Sequence, residues 1–414
     1  MDRRHQLRWD NTLPLLARGY AWLPDLRRRH PGPVVRTRLA GRPAVALHGP
    51  DAVRFFYDER HVERAGALPE PVKSTLFGHG AVHSLDGPEH RLRKAMFLSL
   101  LADPARVRAL VDEVGAAWEA AARDWAGRPR VVLLDEAARV LTEGVRRWAG
   151  LPPPEGGDGP LAADLVAMVD GFATQGPRHW RGRLARRRRE AWIAGIVEGA
   201  RDGGAPLPAG CPVERVALHR DADGEVLEPR VAAVEVLNLV RPTVAVCWYV
   251  AFAAHALHRR PETREALAAG DPAYARAFAQ EVRRFYPFAP FVGGRAAADL
   301  THRGEPIAAG TTVLLDLYGQ NHDPALWPDP YAFRPERFLE RPEDVGQLVP
   351  QGGGDPSSGH RCPGEAVVVG LLEDLSVRLA RLEYTLPAQD LTIPLGRMIA
   401  RPRSGFVIEA VRAG

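Results

Sequence analysis

The sequence predicts a mainly α-helical protein with small β-sheets. Apolar residues recur with the period of an α-helix in four stretches, residues 104–126, 134–149, 161–172 and 183–200. A further stretch from about Glu228 to His258 is hydrophobic nearly all round, which is typical of a long helix buried at the centre of a protein. The alternating segment 34–48 breaks at Gly41 and predicts a hairpin, the start of a small sheet.

Length and composition are those of an ordinary globular chain. Its 414 residues are 45% hydrophobic and 26% charged, which is enough for an extensive core, and neither an internal repeat nor a domain-sized linker is found. We therefore expect a single domain over residues 1–414. No stretch approaches the length of a membrane-spanning apolar segment, and the N-terminus lacks the apolar core of a signal peptide. A cytoplasmic protein without a stable membrane anchor is expected.

The distribution of charge does not indicate a nucleic-acid-binding protein. The formal net charge is +4, and the basic run from Arg181 to Arg189 lacks interleaved stacking aromatics apart from Trp180. A solvated helix face is the commoner outcome for such a run, so no nucleic acid partner is expected. The three cysteines are dispersed, which argues against a disulfide framework and fits a reducing compartment.

One cysteine, Cys362, lies where a loop becomes a helix. The loop before it is rich in glycine, and Pro363 suits the first position of the helix that the following apolar residues predict. The positive end of the helix dipole lowers the pKa of a thiol placed there. A tetrahedral zinc site has too few ligands, because Cys211 and Cys247 are isolated. A buried free cysteine and a cysteine nucleophile both stay open on spacing alone.

Two further motifs decide between these interpretations. Glu281-Val-Arg-Arg284 lies on a predicted helix, and Pro335-Glu-Arg337-Phe follows it in the chain. Together with the cysteine loop, these motifs resemble the signatures of the cytochrome P-450 superfamily in their usual order. The resemblance implies a triangular, prism-shaped fold with a long central helix, and haem b ligated through its iron by the Cys362 thiolate. It also implies that Glu281, Arg284 and Arg337 form a buried, structural ion network that locks the cysteine loop.

The resemblance further assigns cationic residues to the haem propionates. His90 and Lys94 share one face of the helix that begins near Asp86, and in the family this face is directed at a propionate. The other residues that the resemblance assigns to the cofactor are Arg93, Arg295 and His360. A solvated basic helix is the alternative interpretation of the segment around His90.

The central helix departs from the oxygen-activating members of the family. Those members carry an acid followed by an alcohol, whereas this sequence has Arg241-Pro242 at the matching place. The pair resembles the peroxide-using branch, the bacterial fatty acid peroxygenases and olefin-forming decarboxylases, as does the stretched, glycine-rich loop before Cys362. The resemblance implies that Arg241 and Pro242 are catalytic and that Arg241 binds the carboxylate of a long-chain fatty acid. Hydrogen peroxide is then the co-substrate, and no redox partner is strictly required.

Two other functions are alternatives to this interpretation. One is a redox-partner-dependent cytochrome P-450 monooxygenase that acts on another small molecule. The other is a non-catalytic haem sensor or carrier. Turnover with peroxide alone separates the first expectation from both.

The same resemblance assigns the walls of a pocket. The residues expected to line an acyl channel are Phe77, Val169, Phe172, Phe288 and Phe291. His83 lies where decarboxylating members carry histidine and hydroxylating members typically carry glutamine, so it is expected to be catalytic and to favour terminal alkenes beside 2- and 3-hydroxy acids. An imidazole with a pKa near neutrality can donate a proton there. A pocket histidine bonded to a backbone carbonyl is the alternative.

Overall fold

The structure is a computed structural model and describes residues 10–172, 174–204, 206–340 and 346–412. The first nine residues, part of the segment considered for a signal peptide, lie outside the described residues. Helices make up most of the described chain, and its strands are short. The predicted fold class, mainly α with small sheets, is therefore confirmed.

Helices follow one another along most of the chain. Their bounds are α1 Thr12–Arg18, α2 Trp22–Arg29, α3 Pro50–Tyr57, α4 Glu70–Val72, α5 Gly87–Leu101, α6 Pro104–Trp125, α7 Leu133–Ala149, α8 Asp158–Asp170, α9 Pro177–Arg201, α10 Pro212–Ala217, α11 Pro229–Val244, α12 Val246–Arg259, α13 Pro261–Ala268, α14 Pro272–Phe285, α15 Leu317–Asn321, α16 Arg337–Glu340 and α17 Glu365–Arg381. Turns of 3₁₀ helix lie at Gly19–Ala21 and Val82–Ser84, and a π-helical turn lies at Lys73–Phe77.

The strands form small sheets beside the helices. They are β1 Val35–Leu39, β2 Arg42–Leu47, β3 Val62–Glu63, β4 Val131–Val132, β5 Phe291–Ala296, β6 Leu300–His302, β7 Glu305–Ile307, β8 Thr312–Asp316, β9 Glu383–Thr385 and β10 Val407–Arg412. The larger sheet has the strand order β1-β2-β8-β5-β3, in which only the pair β2 and β8 is parallel. A second sheet has the order β4-β10-β9, and β6 pairs with β7.

Most elements lie where the sequence predicts them. The four amphipathic stretches are the helices α6, α7, α8 and α9, and the predicted hairpin is formed by β1 and β2, with Val35 opposite Ala46. The connection between α9 and α11 contains the short helix α10. Because Val213 and Val216 of α10 are buried, this connection contributes to the core.

The predicted central helix is present as two consecutive helices, α11 and α12, with Ala245 between them. Pro242 lies in the last turn of α11, and because proline has no N–H it cannot donate the helical hydrogen bond to the carbonyl oxygen four residues before it. By length and composition Pro229–Arg259 could cross a membrane, but 94% of its most apolar window is buried inside the protein. The two helices contact α7, α9 and α17, so they form the centre of the fold.

Helices α6 and α7 pack closely at one glycine. A methyl group on Gly144 would lie 2.8 Å from both the backbone nitrogen and the Cα atom of Val114, closer than carbon atoms approach in proteins. Val114 is fully buried, so its helix cannot move aside without disturbing the core. Gly144 is thus a requirement of the packing between these two helices.

We predict that Gly144→Ala lowers the free energy of unfolding by about 1–3 kcal/mol, because the added methyl group overpacks the helix interface. The matched control is Gly195→Ala on α9, where a methyl group meets no atom within 4 Å. There alanine favours the helix by about 0.5–1 kcal/mol. Denaturant unfolding measures both variants. A Gly144→Ala protein as stable as the Gly195→Ala protein would contradict the described packing.

Candidate active site

Cys362 follows a glycine-rich loop that packs flat against α3. Gly352 and Gly354 have positive φ angles of 93° and 79°, a conformation that glycine adopts without strain. A methyl group on Gly354 would lie 2.7 Å from Cβ of Tyr57. Larger side chains would therefore push the loop away from α3 and displace the cysteine.

Cys362 is half-buried and lies ahead of α17. This helix begins at Glu365, whereas Pro363 was expected to be its first residue. Gln351 donates a hydrogen bond from Nε2 to the sulfur at 3.6 Å. Burial raises the pKa of the Cys362 thiol, and the positive charge of Lys94 opposes this effect only in part. The expected lowering of the pKa by the helix dipole is therefore wrong for the protein alone, and a thiolate here needs a cation bound to the sulfur.

Three residues predicted to bind the cofactor lie together beside the cysteine loop. Lys94 donates hydrogen bonds from Nζ to the carbonyl oxygens of Gly359, at 2.9 Å, and Arg361. The rings of His90 and His360 stack with 3.8 Å between their centroids. Burial lowers the pKa of both imidazoles, that of His90 to about 3, so both rings are neutral at pH 7. Burial also lowers the pKa of Lys94, to about 8, which leaves it mostly charged.

The other two predicted cofactor residues have different surroundings. Arg93 forms ion pairs with Asp221 and, at 3.2 Å, with Glu235, so two carboxylates already neutralise its guanidinium. Those contacts do not support a role for Arg93 toward a propionate. Arg295 lies half-buried on β5, and its NH1 atom would be 3.3 Å from a methyl group placed on Gly66. Its role toward the cofactor stays a prediction.

A buried cation that the sequence analysis missed, Arg64, lies near the same loop. Its guanidinium carbon is 4.2 Å from the ring centroid of Phe56 and 5.6 Å from that of Tyr57. The NH1 atom has no hydrogen-bond partner among the described residues. The carboxylate of Asp86 accepts a hydrogen bond from the Arg64 backbone N–H at 2.8 Å and lies 3.1 Å from Nε2 of His360. An isolated arginine after a short strand gives no signal in a single sequence.

This set of groups fits haem b. Besides NH1 of Arg64, Nδ1 of His90 is buried and has no hydrogen-bond partner in the described part of the chain. Donors of this kind suit the propionates of a haem, and the sulfur of Cys362 suits its iron. The residues that would hold the group are Cys362, Arg64, His90, Lys94 and His360.

The three residues of the predicted ion network are brought together. Arg284 donates two hydrogen bonds to the Glu281 carboxylate, at 2.7 and 2.8 Å, and both side chains are fully buried. Nε of Arg337 lies 3.2 Å from the same carboxylate. Arg284 also donates to the carbonyl oxygens of Asn321 and Pro330, at 2.8 and 2.9 Å. The ion pair on α14 thus holds the irregular segment between α15 and α16 in place. The added hydrogen bonds also offset the cost of burying the two charges.

Arg241 lies on the central helix and is buried. Its NH2 atom donates a hydrogen bond to Oδ1 of Asn238 at 3.2 Å, and its buried Nε atom has no partner among the described residues. In that same part of the chain no carboxylate pairs with it. Burial, followed by the charge of Arg186, lowers the pKa of Arg241 to about 9, so the guanidinium is still charged at pH 7. A buried cation without a counter-ion is costly, and an anionic ligand would satisfy it.

His83 is half-buried in the same region, and its Nδ1 atom is buried. Its ring centroid lies 4.2 Å from that of Phe77, and the guanidinium carbon of Arg241 lies 6.0 Å from the Phe77 centroid. Burial, followed by the charge of Arg241, lowers the pKa of His83 well below its usual value. The expected pKa near neutrality is therefore wrong, because the ring is neutral at pH 7. Its Nδ1 atom has no hydrogen-bond partner within the described ranges, so the structure gives no support to the alternative of a carbonyl-bound Nδ1.

The five predicted channel residues are not all in one cluster. Val169 belongs to the main hydrophobic core, against which Phe172 and Phe288 also pack. The Phe288 ring additionally stacks on Tyr249 with 4.5 Å between centroids. Phe291, by contrast, lies edge-on to Trp22 at 6.2 Å, in a separate cluster beside the larger sheet. The lining of the channel by these residues stays a prediction, and for Phe291 the contacts give it no support.

Comparison with known proteins places this site in a family. The profile of the cytochrome P-450 family matches residues 270–366, which include the ion-pair motif and the cysteine loop. Curated relatives include (S)-canadine synthase of Coptis japonica, 40% identical over 68 residues, and salutaridine synthase of Papaver somniferum, 46% identical over 68 residues. Each match covers 16% of this chain and only 14% of the relative.

Solved structures match over nearly the whole chain. Cytochrome P-450SP alpha in complex with (R)-ibuprophen is 43% identical and has a TM-score of 0.95, with 98% of this chain and 100% of that chain covered. A variant of cytochrome P-450 OleT in complex with arachidonic acid is 36% identical and has a TM-score of 0.94, with 98% and 97% covered. The predicted cytochrome P-450 fold is thereby confirmed. The chain belongs to the cytochrome P-450 family, in its branch of fatty acid peroxygenases and decarboxylases.

Proposed function

We propose that the protein holds haem b through Cys362 and oxidises long-chain fatty acids with hydrogen peroxide, giving 2- and 3-hydroxy acids and terminal alkenes. The observation that carries the proposal is the buried guanidinium of Arg241, which has no carboxylate partner among the described residues. Two similar structures contain carboxylic acids, (R)-ibuprophen in one and arachidonic acid in the other.

Arg241 is proposed to anchor the substrate by its carboxylate. A guanidinium binds a carboxylate through charge-assisted hydrogen bonds, which are stronger than those between neutral groups. Asn238 takes one of the five N–H donors of Arg241, and the buried Nε–H is among the donors left for a ligand. The bound acid then has its carboxylate at the central helix, and the carbons next to it are the ones held in a fixed position.

The bound carboxylate also supplies an acid–base group that the central helix lacks. The acid of α11, Glu235, is fully buried, and its oxygens accept hydrogen bonds from Arg93, Asn238 and the backbone of Val82. Because Glu235 is fully buried and its oxygens are already engaged by these three donors, it is poorly placed to exchange protons with a co-substrate. The substrate carboxylate, held by Arg241, can do so in its place.

The cofactor side of the site is held by rigid contacts. When bound, haem supplies the redox chemistry that activates peroxide and removes hydrogen from the substrate. Lys94 fixes the cysteine loop through two carbonyl oxygens, and the Glu281–Arg284 pair fixes the segment that leads to it. Arg64 and His90 each have a buried nitrogen that lacks a hydrogen-bond partner among the described residues and suits the propionates. Cys362 is thereby kept at one place relative to the central helix.

Turnover with peroxide alone tests the proposed function. The purified holoenzyme is incubated with stearate and hydrogen peroxide, without reductase or ferredoxin, and the products are read by mass spectrometry. We expect hydroxy acids and a terminal alkene one carbon shorter than the substrate. Turnover that needs NAD(P)H, ferredoxin and ferredoxin reductase would favour a partner-dependent monooxygenase, and haem binding without any turnover would favour a sensor or carrier.

We predict that Cys362→Ala abolishes the red-shifted carbon monoxide band of haem-thiolate proteins, because the axial sulfur is lost. Cys211→Ala, a change at a buried cysteine outside the candidate site, is the control and is expected to keep the band. Absorption spectra of the reduced proteins with carbon monoxide provide the measurement. Persistence of the band in Cys362→Ala would remove Cys362 from the iron.

For Arg241→Ala we expect the dissociation constant of stearate to rise by about two orders of magnitude or more, since losing one partner of a buried charge pair costs about 3–5 kcal/mol. Haem content is expected to stay unchanged. Arg181→Ala, at an exposed arginine of α9, is the control. Equilibrium dialysis of stearate against each holoprotein measures the affinity. A change of less than about tenfold for Arg241→Ala would count against the anchor, because that loss is below the range given.

His83→Gln is expected to lower the ratio of alkene to hydroxy acids formed from stearate and peroxide. The reason is that a half-buried, neutral imidazole, whose Nδ1 atom has no hydrogen-bond partner among the described residues, is replaced by an amide with different donors and acceptors. His79→Gln is the control, because His79 lies in the same loop with 66% of its side chain exposed. An unchanged ratio in His83→Gln would remove His83 from the branching of the reaction.

A further inference from the structure

Glu235 joins two segments of the candidate site. This residue of α11 is fully buried, and its Oε1 atom accepts hydrogen bonds from the backbone N–H of Val82, at 2.7 Å, and from NH1 of Arg93, at 3.2 Å. Its Oε2 atom accepts a hydrogen bond from Nδ2 of Asn238 at 3.1 Å. One carboxylate therefore ties the central helix to the backbone immediately before His83.

Asn238 carries this connection on to Arg241. Its Nδ2 atom donates to Oε2 of Glu235 and, at 3.0 Å, to the carbonyl oxygen of Phe77. Its Oδ1 atom accepts a hydrogen bond from NH2 of Arg241 at 3.2 Å. A backbone carbonyl and an ionised carboxylate cannot donate, whereas a guanidinium can only donate, so the amide has one orientation that satisfies all three partners. The position of the Arg241 guanidinium is thereby linked to Glu235.

The distribution of charge keeps Arg241 available for a ligand. Glu235 is paired with Arg93, which is also paired with Asp221. The carboxylate is held by these groups, and a neutral amide lies between it and Arg241. Burial raises the pKa of Glu235, and the hydrogen bond from Asn238 and the charge of Arg93 oppose this effect. A carboxylate at position 238 would instead pair with Arg241 directly and occupy the place of the substrate.

We propose that Glu235, acting through Asn238, is the positioning residue that fixes Arg241 and the His83 segment relative to each other. The inference rests on the proposed function, in which Arg241 binds the substrate carboxylate. A displacement of about 1 Å in a catalytic site can cost about 100-fold in rate, so this connection determines which carbon next to the carboxylate reacts. Neither Glu235 nor Asn238 has a motif that marks it in the sequence.

Two isosteric variants test the proposal in the holoenzyme. Asn238→Asp places a carboxylate beside Arg241, and we expect the dissociation constant of stearate, measured by equilibrium dialysis, to rise by about tenfold or more, which corresponds to a typical buried charge-assisted bond. Glu235→Gln puts a donor beside the Asn238 amide, so the amide loses its single satisfied orientation. We expect it to change the ratio of 2-hydroxy acid, 3-hydroxy acid and alkene by about threefold or more, a modest shift on the scale of misplacement effects.

The control is Glu190→Gln. Glu190 forms an ion pair with Arg186 at 2.6 Å, in the neighbourhood of Arg241, but bonds to neither Arg241 nor Asn238 in the described residues. Stearate affinity and product ratio are expected to stay those of the wild type. Haem content and circular dichroism are measured for every variant. If Glu235→Gln does not fold, Asn238→Asp tests the link to Arg241 that the proposal requires, and an unchanged stearate affinity in that variant overturns the proposal.

The outcomes separate this inference from the function on which it rests. If the wild-type holoenzyme binds no stearate, the proposed function is wrong and the inference is overturned with it. If the wild type binds stearate and Glu235→Gln, folded and with unchanged haem content, keeps the wild-type product ratio, the inference alone is overturned. A changed product ratio in Glu235→Gln with an unchanged one in Glu190→Gln supports it, and weaker stearate binding by Asn238→Asp supports the Asn238 link between Glu235 and Arg241.

Discussion

The site depends on one buried charge, the guanidinium of Arg241. Burial at the centre of the protein lowers its pKa only to about 9, so it stays a cation, and no carboxylate among the described residues neutralises it. The surrounding groups are arranged around this unpaired charge. His83 is kept neutral, and Glu235 is paired with Arg93 instead of with Arg241. The free energy that an anion gains by entering this site is the reason to expect a carboxylate substrate.

The cofactor side of the site contains a second group, Cys362, whose charged form the protein alone does not stabilise. Burial raises the pKa of the Cys362 thiol, so the thiolate is stable only with a metal on the sulfur. The protein places that sulfur with contacts that do not depend on its charge: Lys94 binds loop carbonyls, and glycines let the loop lie against α3. In the proposed function, a haem would satisfy Cys362 and the carboxylate of a fatty acid would satisfy Arg241.

Much of this arrangement could be predicted from the sequence, because short motifs carry it. Glu281 and Arg284 are one helical turn apart, and the ion pair that their spacing predicts is present and buried. Three other residues of the site, Arg64, Glu235 and Asn238, have no signal in the sequence. Their partners come from distant segments, and the residues next to each in the sequence do not indicate which segments will be in contact. The predictions of the pKa of Cys362 and of His83 were wrong for a related reason. Burial raises the pKa of the thiol more than the helix dipole lowers it, and burial moves the pKa of the imidazole below its ordinary value. Burial depends on the tertiary fold.

The most direct measurement of the central claim compares stearate with methyl stearate, two ligands of nearly equal apolar surface that differ in charge. Their dissociation constants are measured with the wild-type holoenzyme by equilibrium dialysis under the same conditions. If the unpaired charge of Arg241 defines the site, the free acid binds tighter by about 100-fold or more, as expected for a buried charge pair against a neutral partner. Equal affinities for the acid and the ester would contradict the account.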